Sequence, residues 1–204
     1  MSATPVEGGV GRVGCYPGSF NPPTVAHLAV AEAARSVGRL DRIDLVVSRV
    51  ALGKEDLAVP AFEDRVALLH DVARTRPWLG VVATDAGLIV DLARGYDAVV
   101  MGADKWRQVN DPSWYGGDPS ARDAALGQLP QVLVAPRAGD ALEEIGDRPG
   151  VTLLPVAEDH RTVSATAIRN DHPGARTWML PEAVAFDART HAWSDPARYR
   201  PEHR

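Results

Sequence analysis

Short apolar runs bounded by turn formers alternate along this chain with stretches whose apolar residues recur every three to four positions. The stretch 13–28 reads as a buried strand, a turn rich in Gly and Pro, and the start of a helix. That helix is expected over 25–37, with Leu28, Val30 and Ala34 among its apolar positions and Gly38 as its stop. A second strand is predicted over 43–48, a loop holding Lys54 over 50–60, and a helix over 62–74 with Val66, Leu69, His70 and Ala73 on or near one face. Then follow a strand over 79–83, a short helix over 87–94 and a buried strand over 97–101 that runs into Gly102-Ala103-Asp104. Beyond a loop of turn formers at 110–120, the pattern gives a helix over 121–127, a strand over 131–135, a helix over 141–145 and a last strand over 151–155. Strand and helix alternating with short connections specify a parallel sheet covered on both faces by right-handed crossovers. The expected fold is therefore a Rossmann-like doubly wound α/β sheet with helices on both faces.

Composition narrows this picture without changing it. The 204 residues, 45% apolar and 24% charged, suit one sizeable core. Residues 1–188 are expected to form a single domain that opens at 1–9 with a loose leader and is followed at 189–204 by a tail with Trp193, Tyr199 and four arginines. A net charge of −5 argues against broad binding to nucleic acid. Neither a membrane-length apolar run nor a signal-like segment is seen, so no membrane partner is expected and the cytoplasm is the expected compartment. The one cysteine, Cys15, falls in the first apolar run and reads as a small core residue.

The chemistry concentrates at the turn after the first strand. A strand that feeds a helix through small residues leaves backbone N–H groups pointing out of the sheet with the positive end of a helix dipole behind them, which is an anion site. Thr24 and His27, three residues apart, would share the first helical turn and face the anion. By contrast, the G-x-G-x-x-G pattern at 9–14 precedes the strand or lies within it, where it cannot cradle a dinucleotide, and is a decoy. Asp104, just past a strand's carboxyl end, is placed either to contact a ligand or to cap the next helix. Trp114 and Tyr115 stand in a polar loop, where they either stack on a ligand ring or pack the loop down, and Trp106 is a second stacking candidate. Near the end of the chain, Ser164 suits a helix N-cap, and Ser164, Thr166 and the Arg169 guanidinium can converge on one anion. With one Cys and no close His pair, a zinc site is not expected, and no protein-held metal cluster is seen.

These residues also carry a resemblance. G-S-F-N-P-P-T-V-A-H at 18–27 is similar to the G-x-F-[ND]-P-x-[HT]-x-x-H signature of the nucleotidylyltransferases, most like the nicotinate and nicotinamide mononucleotide adenylyltransferases. V-S-A-T-A-I-R at 163–169 resembles the family's second signature, I-S-x-T-x-x-R, and L-P-E-A-V at 180–184 its closing L-V-P-x-x-V.

The resemblance implies Mg²⁺-dependent transfer of an adenylyl group from ATP to a small phosphorylated acceptor. His27, Thr24 and Arg169 would be catalytic, and Gly18, Ser19, Phe20, Gly102, Asp104, Ser164 and Thr166 would bind ATP, Asp104 at its ribose. Lys54 would meet the acceptor's phosphate, unless it is a solvated loop lysine, and Trp114 the acceptor's ring; Arg65 matches a buried Arg in the family. Mg²⁺ would be held mostly by phosphates and water, and a homo-oligomer is compatible with the family. Two departures stand out: Ala26 replaces the usual Gly before the second His position, and 83–90 lacks the S-Y-T-x-x-T-L segment that reads the pyridine ring. A different phosphorylated acceptor, or a nucleotide-binding regulatory protein with little turnover, are the other readings.

Overall fold

The computed structural model describes residues 11–50, 59–140 and 150–203. Six strands, β1 (Val13–Pro17), β2 (Arg42–Ser48), β3 (Leu79–Thr84), β4 (Ala98–Gly102), β5 (Gln131–Ala135) and β6 (Val151–Leu153), form one sheet in the order β3-β2-β1-β4-β5-β6. Every pairing is parallel; Cys15 of β1, for instance, lies opposite both Asp44 of β2 and Val99 of β4. The fold is the expected Rossmann-like, doubly wound α/β sheet.

Adjacent residues of the central strands enter different cores, as the period of two requires. Ala98 and Val100 of β4 and Leu133 of β5 pack with α1 (Val25–Gly38) and α2 (Phe62–Arg74). Val99 and Met101, with Val132 and Val134, pack instead with α3 (Ile89–Leu92), α4 (Ala103–Asn110) and α5 (Pro119–Leu126). Among the described residues three further α-helices follow: α6 (Glu158–Arg161), α7 (Ala165–Arg169) and α8 (Pro181–Thr190).

The strand order positions the site. From β1 the chain steps outward through β2 and β3, then returns to lay β4 on the other side of β1. The connections leaving β1 and β4 therefore diverge to opposite faces and open a crevice at their carboxyl ends, the usual ligand position in such sheets.

Most element assignments hold, with instructive differences. Gly38 is the last residue of α1 rather than its stop; the left-handed residue is Arg39, with φ 50°. A Cβ at position 38 would lie 3.0 Å from Leu133 and Leu40, so glycine serves close packing of helix on sheet. Asp104 does not cap α4: Gly102 is the N-cap and Asp104 lies inside the first turn. Trp106 is buried with Val109 and Met101, which removes it as a stacking candidate. Cys15 is fully buried, as expected, with Sγ 3.4 Å from the Leu92 carbonyl, and burial beside Asp44 pushes its thiol up to about 12. The leader, Lys54 and the helix expected over 141–145 lie outside the described residues.

The segment after α8 is docked on the body. Trp193 packs with Phe186, Met179 and Ile168. Tyr199 donates to Asp64 of α2 and accepts from the Ala61 N–H at 2.9 Å. Among the described residues no helix is long and apolar enough to cross a membrane.

Candidate active site

β1 ends in Pro17, and the chain turns through Gly18, Ser19, Phe20 and Asn21 into Thr24, the N-cap of α1. The turn is held to the sheet by the Gly18 N–H, which donates to the Val46 carbonyl at 3.0 Å. Phe20 takes a left-handed conformation, with φ 45°, and turns its ring inward, edge-on to Tyr16 and His27 with centroids 5.3 and 5.1 Å away. A Cβ at position 18 would lie 2.8 Å from that ring, so the tight turn requires glycine there.

Thr24 and His27 form a reciprocal capping box. The His27 N–H donates to Thr24 Oγ1 at 3.4 Å, and the Thr24 N–H donates to His27 Nδ1 at 3.0 Å. Thr24 Oγ1 is also 2.9 Å from Nδ1. A backbone N–H can only donate, so Nδ1 accepts and the neutral ring carries its hydrogen on Nε2. The cap thus sets the orientation and the tautomer of the imidazole together.

Although 137 residues separate Thr24 from Arg161 in sequence, the end of the chain closes over this turn. Ser164 caps α7, its Oγ accepting from the Ala167 N–H at 3.3 Å. One turn on, Arg169 donates from Nη2 to Thr166 Oγ1 at 3.1 Å and from Nη1 to the Asn21 carbonyl at 2.6 Å. Partial burial pulls the guanidinium down from its ordinary value. Thr24, the N-cap of α1, also makes an isolated antiparallel bridge to Met179.

Two clefts meet at the turn. The larger, about 370 Å³, is lined by Gly18, Ser19, Phe20, Thr24, His27, Gly102, Asp104, Ser164, Thr166 and Arg169, and so gathers every residue expected to be catalytic or to bind ATP. Ala26 contributes its methyl group to the same wall. The smaller, about 110 Å³, is mainly apolar and is lined by Val46, Leu88, Ile89, Trp114 and Tyr115 with Arg65. Pro17, Gly18, Ser19, Lys105 and Gln108 border both.

The larger cleft is also strongly cationic. Lys105, Arg137 and Arg161 line it with Arg169, against Asp104 as the one carboxylate among its described lining residues. Asp104 pairs with Arg107 at 3.2 Å and with Arg137 at 3.1 Å. Sequence reasoning missed Arg137, although it stands two residues past β5 at the carboxyl edge of the sheet, the same signal that singled out Asp104. Lys105 and Arg161 gave no such signal: Lys105 lies inside the helix that follows β4, and α6, which carries Arg161, was not foreseen.

In the smaller cleft Trp114 is 39% exposed, whereas Tyr115 is tied down by its hydroxyl, which donates to the Val109 carbonyl at 3.0 Å. Arg65 is 8% exposed, and its Nε has no hydrogen-bond partner among the described residues. Burial lowers the pKa of that guanidinium from its ordinary value. Gly87, Leu88, Ile89 and Val90, from the segment that departs from the family pattern, form another wall. Among the described residues no group of three or more His, Cys, Asp or Glu could hold a metal ion.

A family model described as cytidylyltransferase-like matches residues 15–171. Phosphopantetheine adenylyltransferase of Desulforamulus reducens is 41% identical over 93 residues, 45% of this chain and 54% of that protein. The chain thus spans about half the length of that relative (54%). A probable nicotinate-nucleotide adenylyltransferase of Bordetella avium is 31% identical over 202 residues, covering 91% of this chain and 99% of that protein. Among solved structures, nicotinic acid mononucleotide adenylyltransferase of Plasmodium falciparum complexed with NaAD superposes with a TM-score of 0.66. At 14% identity, over 87% of this chain and 95% of that one, this likeness shows the fold alone.

Proposed function

Because the chain belongs to the cytidylyltransferase-like family, we propose that it transfers the adenylyl group of ATP to the phosphate of nicotinate or nicotinamide mononucleotide. The carrying observation is the pair of clefts that share Gly18, Ser19 and Lys105. A wide cationic cleft suits a nucleoside triphosphate, a narrow apolar one suits a ring, and their common border is where the two phosphates would meet.

In this reading the acceptor phosphate oxygen attacks the α-phosphorus of ATP in line. A new P–O bond forms, the bond from the α-phosphorus to the β-bridging oxygen breaks, and pyrophosphate leaves with that electron pair. Such transition states are served by positioning and charge neutralisation rather than by a nucleophilic side chain. His27 donates its Nε2–H to the phosphate oxygens where charge builds, and Thr24 fixes the ring for that task. Arg169, Ser164 and Thr166, joined by Arg137 and Arg161, hold the departing phosphates. Gly18, Ser19, Phe20 and Gly102 shape the nucleotide cleft and Asp104 faces the ribose. Lys54 is assigned to the acceptor phosphate and Trp114 to its ring.

The donor set fits a metal that arrives with the substrate. Asp104 is the one carboxylate among the described lining residues and is already paired with two arginines, so Mg²⁺ would keep phosphate and water ligands. When bound it supplies neutralising charge on the triphosphate.

Two observations favour a second acceptor. The unmatched segment contributes Leu88 and Ile89 to the apolar cleft, and the stronger local likeness is to phosphopantetheine adenylyltransferases. Pyrophosphate release from ATP and Mg²⁺ with nicotinate mononucleotide, nicotinamide mononucleotide, 4′-phosphopantetheine and no acceptor decides among them. Release with a pyridine nucleotide is expected; release with phosphopantetheine alone supports the second acceptor, and ATP binding with no release overturns adenylyl transfer.

A further inference from the structure

The turn after β1 has few backbone donors of its own, because Pro22 and Pro23 follow Asn21 and carry no N–H. Beside the Gly18 N–H on the Val46 carbonyl and the Leu180 N–H on the Pro23 carbonyl, one buried side chain holds it. Asn21 is fully buried, and each end of its carboxamide is used: Nδ2 donates to the Val59 carbonyl at 3.0 Å, and Oδ1 accepts from the Trp193 indole N–H at 2.6 Å. The main-chain carbonyl of the same residue receives Arg169 Nη1 at 2.6 Å. Asn21 is therefore the point where the docked C-terminal segment, the turn and the second signature touch.

Trp193 is itself held firmly. Its N–H donates to Asp187 Oδ1 at 2.7 Å and its carbonyl accepts from Arg176 Nη2 at 3.0 Å. The indole packs on Phe186 with centroids 5.6 Å apart. Trp193 is 3% exposed, and the one donor of its side chain is spent on Asn21. A buried donor and acceptor matched in this way cost stability if one is removed, and they fix geometry while both are present.

We propose that Trp193 is a positioning residue: through Asn21 it sets the carbonyl that holds Arg169 in the larger cleft. The C-terminal segment is on this view part of the active-site framework and not an appendage. The proposal rests on the reading of the larger cleft as the ATP site, through Arg169 alone, and does not depend on which acceptor is used.

The test is Trp193→Phe, which keeps an aromatic ring against Phe186 and removes the donor. ATP affinity is measured by calorimetry in the intact chain, next to the melting temperature and the kcat and KM for ATP. Affinity is expected to fall about tenfold, on the scale of displacing one charge-assisted contact, with the melting temperature within a few degrees of the parent. In an Arg169→Ala background the same substitution should have almost no further effect on ATP affinity, since both act through one group. Undiminished ATP affinity in Trp193→Phe, or an equal loss with and without Arg169, overturns the proposal.

Where phenylalanine at 193 lowers the folded fraction, benzothienylalanine installed there by codon suppression keeps the bicyclic shape and lacks the N–H. The same two outcomes then decide. Because binding is read directly, ATP binding without pyrophosphate release would overturn adenylyl transfer and leave this test standing.

Discussion

The Thr24 N–H donates to Nδ1 of His27 at 3.0 Å, so the residue that starts α1 also decides which nitrogen of the histidine carries hydrogen. A capping interaction, ordinarily a matter of helix stability, here fixes the donor that the proposed reaction uses. Replacing His27 by Ala is expected to lower turnover by about 10²-fold or more, the scale of one preorganised transition-state donor, while ATP affinity stays within a few fold. Thr24→Ala should cost about 1 kcal/mol of stability as a lost N-cap, and it should lower turnover less than His27→Ala does. Steady-state kinetics and thermal unfolding on both variants check this; near-parental turnover in His27→Ala would remove the imidazole from the reaction.

Trp114 is exposed at the mouth of the apolar cleft while its neighbour Tyr115 is tied to Val109. Trp114→Ala should therefore weaken the acceptor and leave ATP alone, by about 1 kcal/mol on the scale of aromatic pairs. An acceptor KM that does not move would make Trp114 a packing residue.

Arg65 lines the same cleft, and its Nε lacks a partner among the described residues. A buried cation of this kind is a cost unless a ligand uses it. Arg65→Met is expected to leave the melting temperature unchanged or raise it, and to raise the acceptor KM about tenfold or more, the scale of a hydrogen bond to a charged group. A fall in stability with unchanged KM would assign Arg65 to the framework instead.

Burial lifts Cys15 from an ordinary value of 9.0 to about 12. The folded state thus favours the neutral thiol. Its contribution to stability is complete below pH 9, where the unfolded thiol is also neutral, and is lost as pH rises toward 12. Chemical denaturation of the parent and of Cys15→Ala should show their stability difference shrinking over that window. The native thiol should also resist labelling at pH 8 until the chain unfolds.

Much of this protein is legible locally. The strand-helix alternation specified a doubly wound parallel sheet, because apolar period and turn chemistry act over a few residues and need no knowledge of the rest of the chain. The two signatures could be seen for the same reason, and Ser164 behaves as the N-cap it resembled.

Other features were decided at long range. Only the return of β4 to the side of β1 makes a crevice, and only the closure of α7 over the first turn brings Arg169 to Asn21, 148 positions away in sequence. Trp106 and Trp114 look alike in a sequence, yet one is core and the other lines a cleft, since Trp106 lies on the face of α4 packed against β4 and β5 whereas Trp114 lies in the turn beyond that helix. Arg137 and Arg161 become part of one cationic cleft by the same route. The C-terminal segment is the clearest case. In the sequence it is a tail with no assigned role, but the indole N–H of Trp193 finds its acceptor 172 residues back, in the turn that opens the fold. Sequence determined which elements form and which chemistry they carry; tertiary structure decided which of those groups share a site, because strand order and side-chain burial are set by contacts that no local window contains.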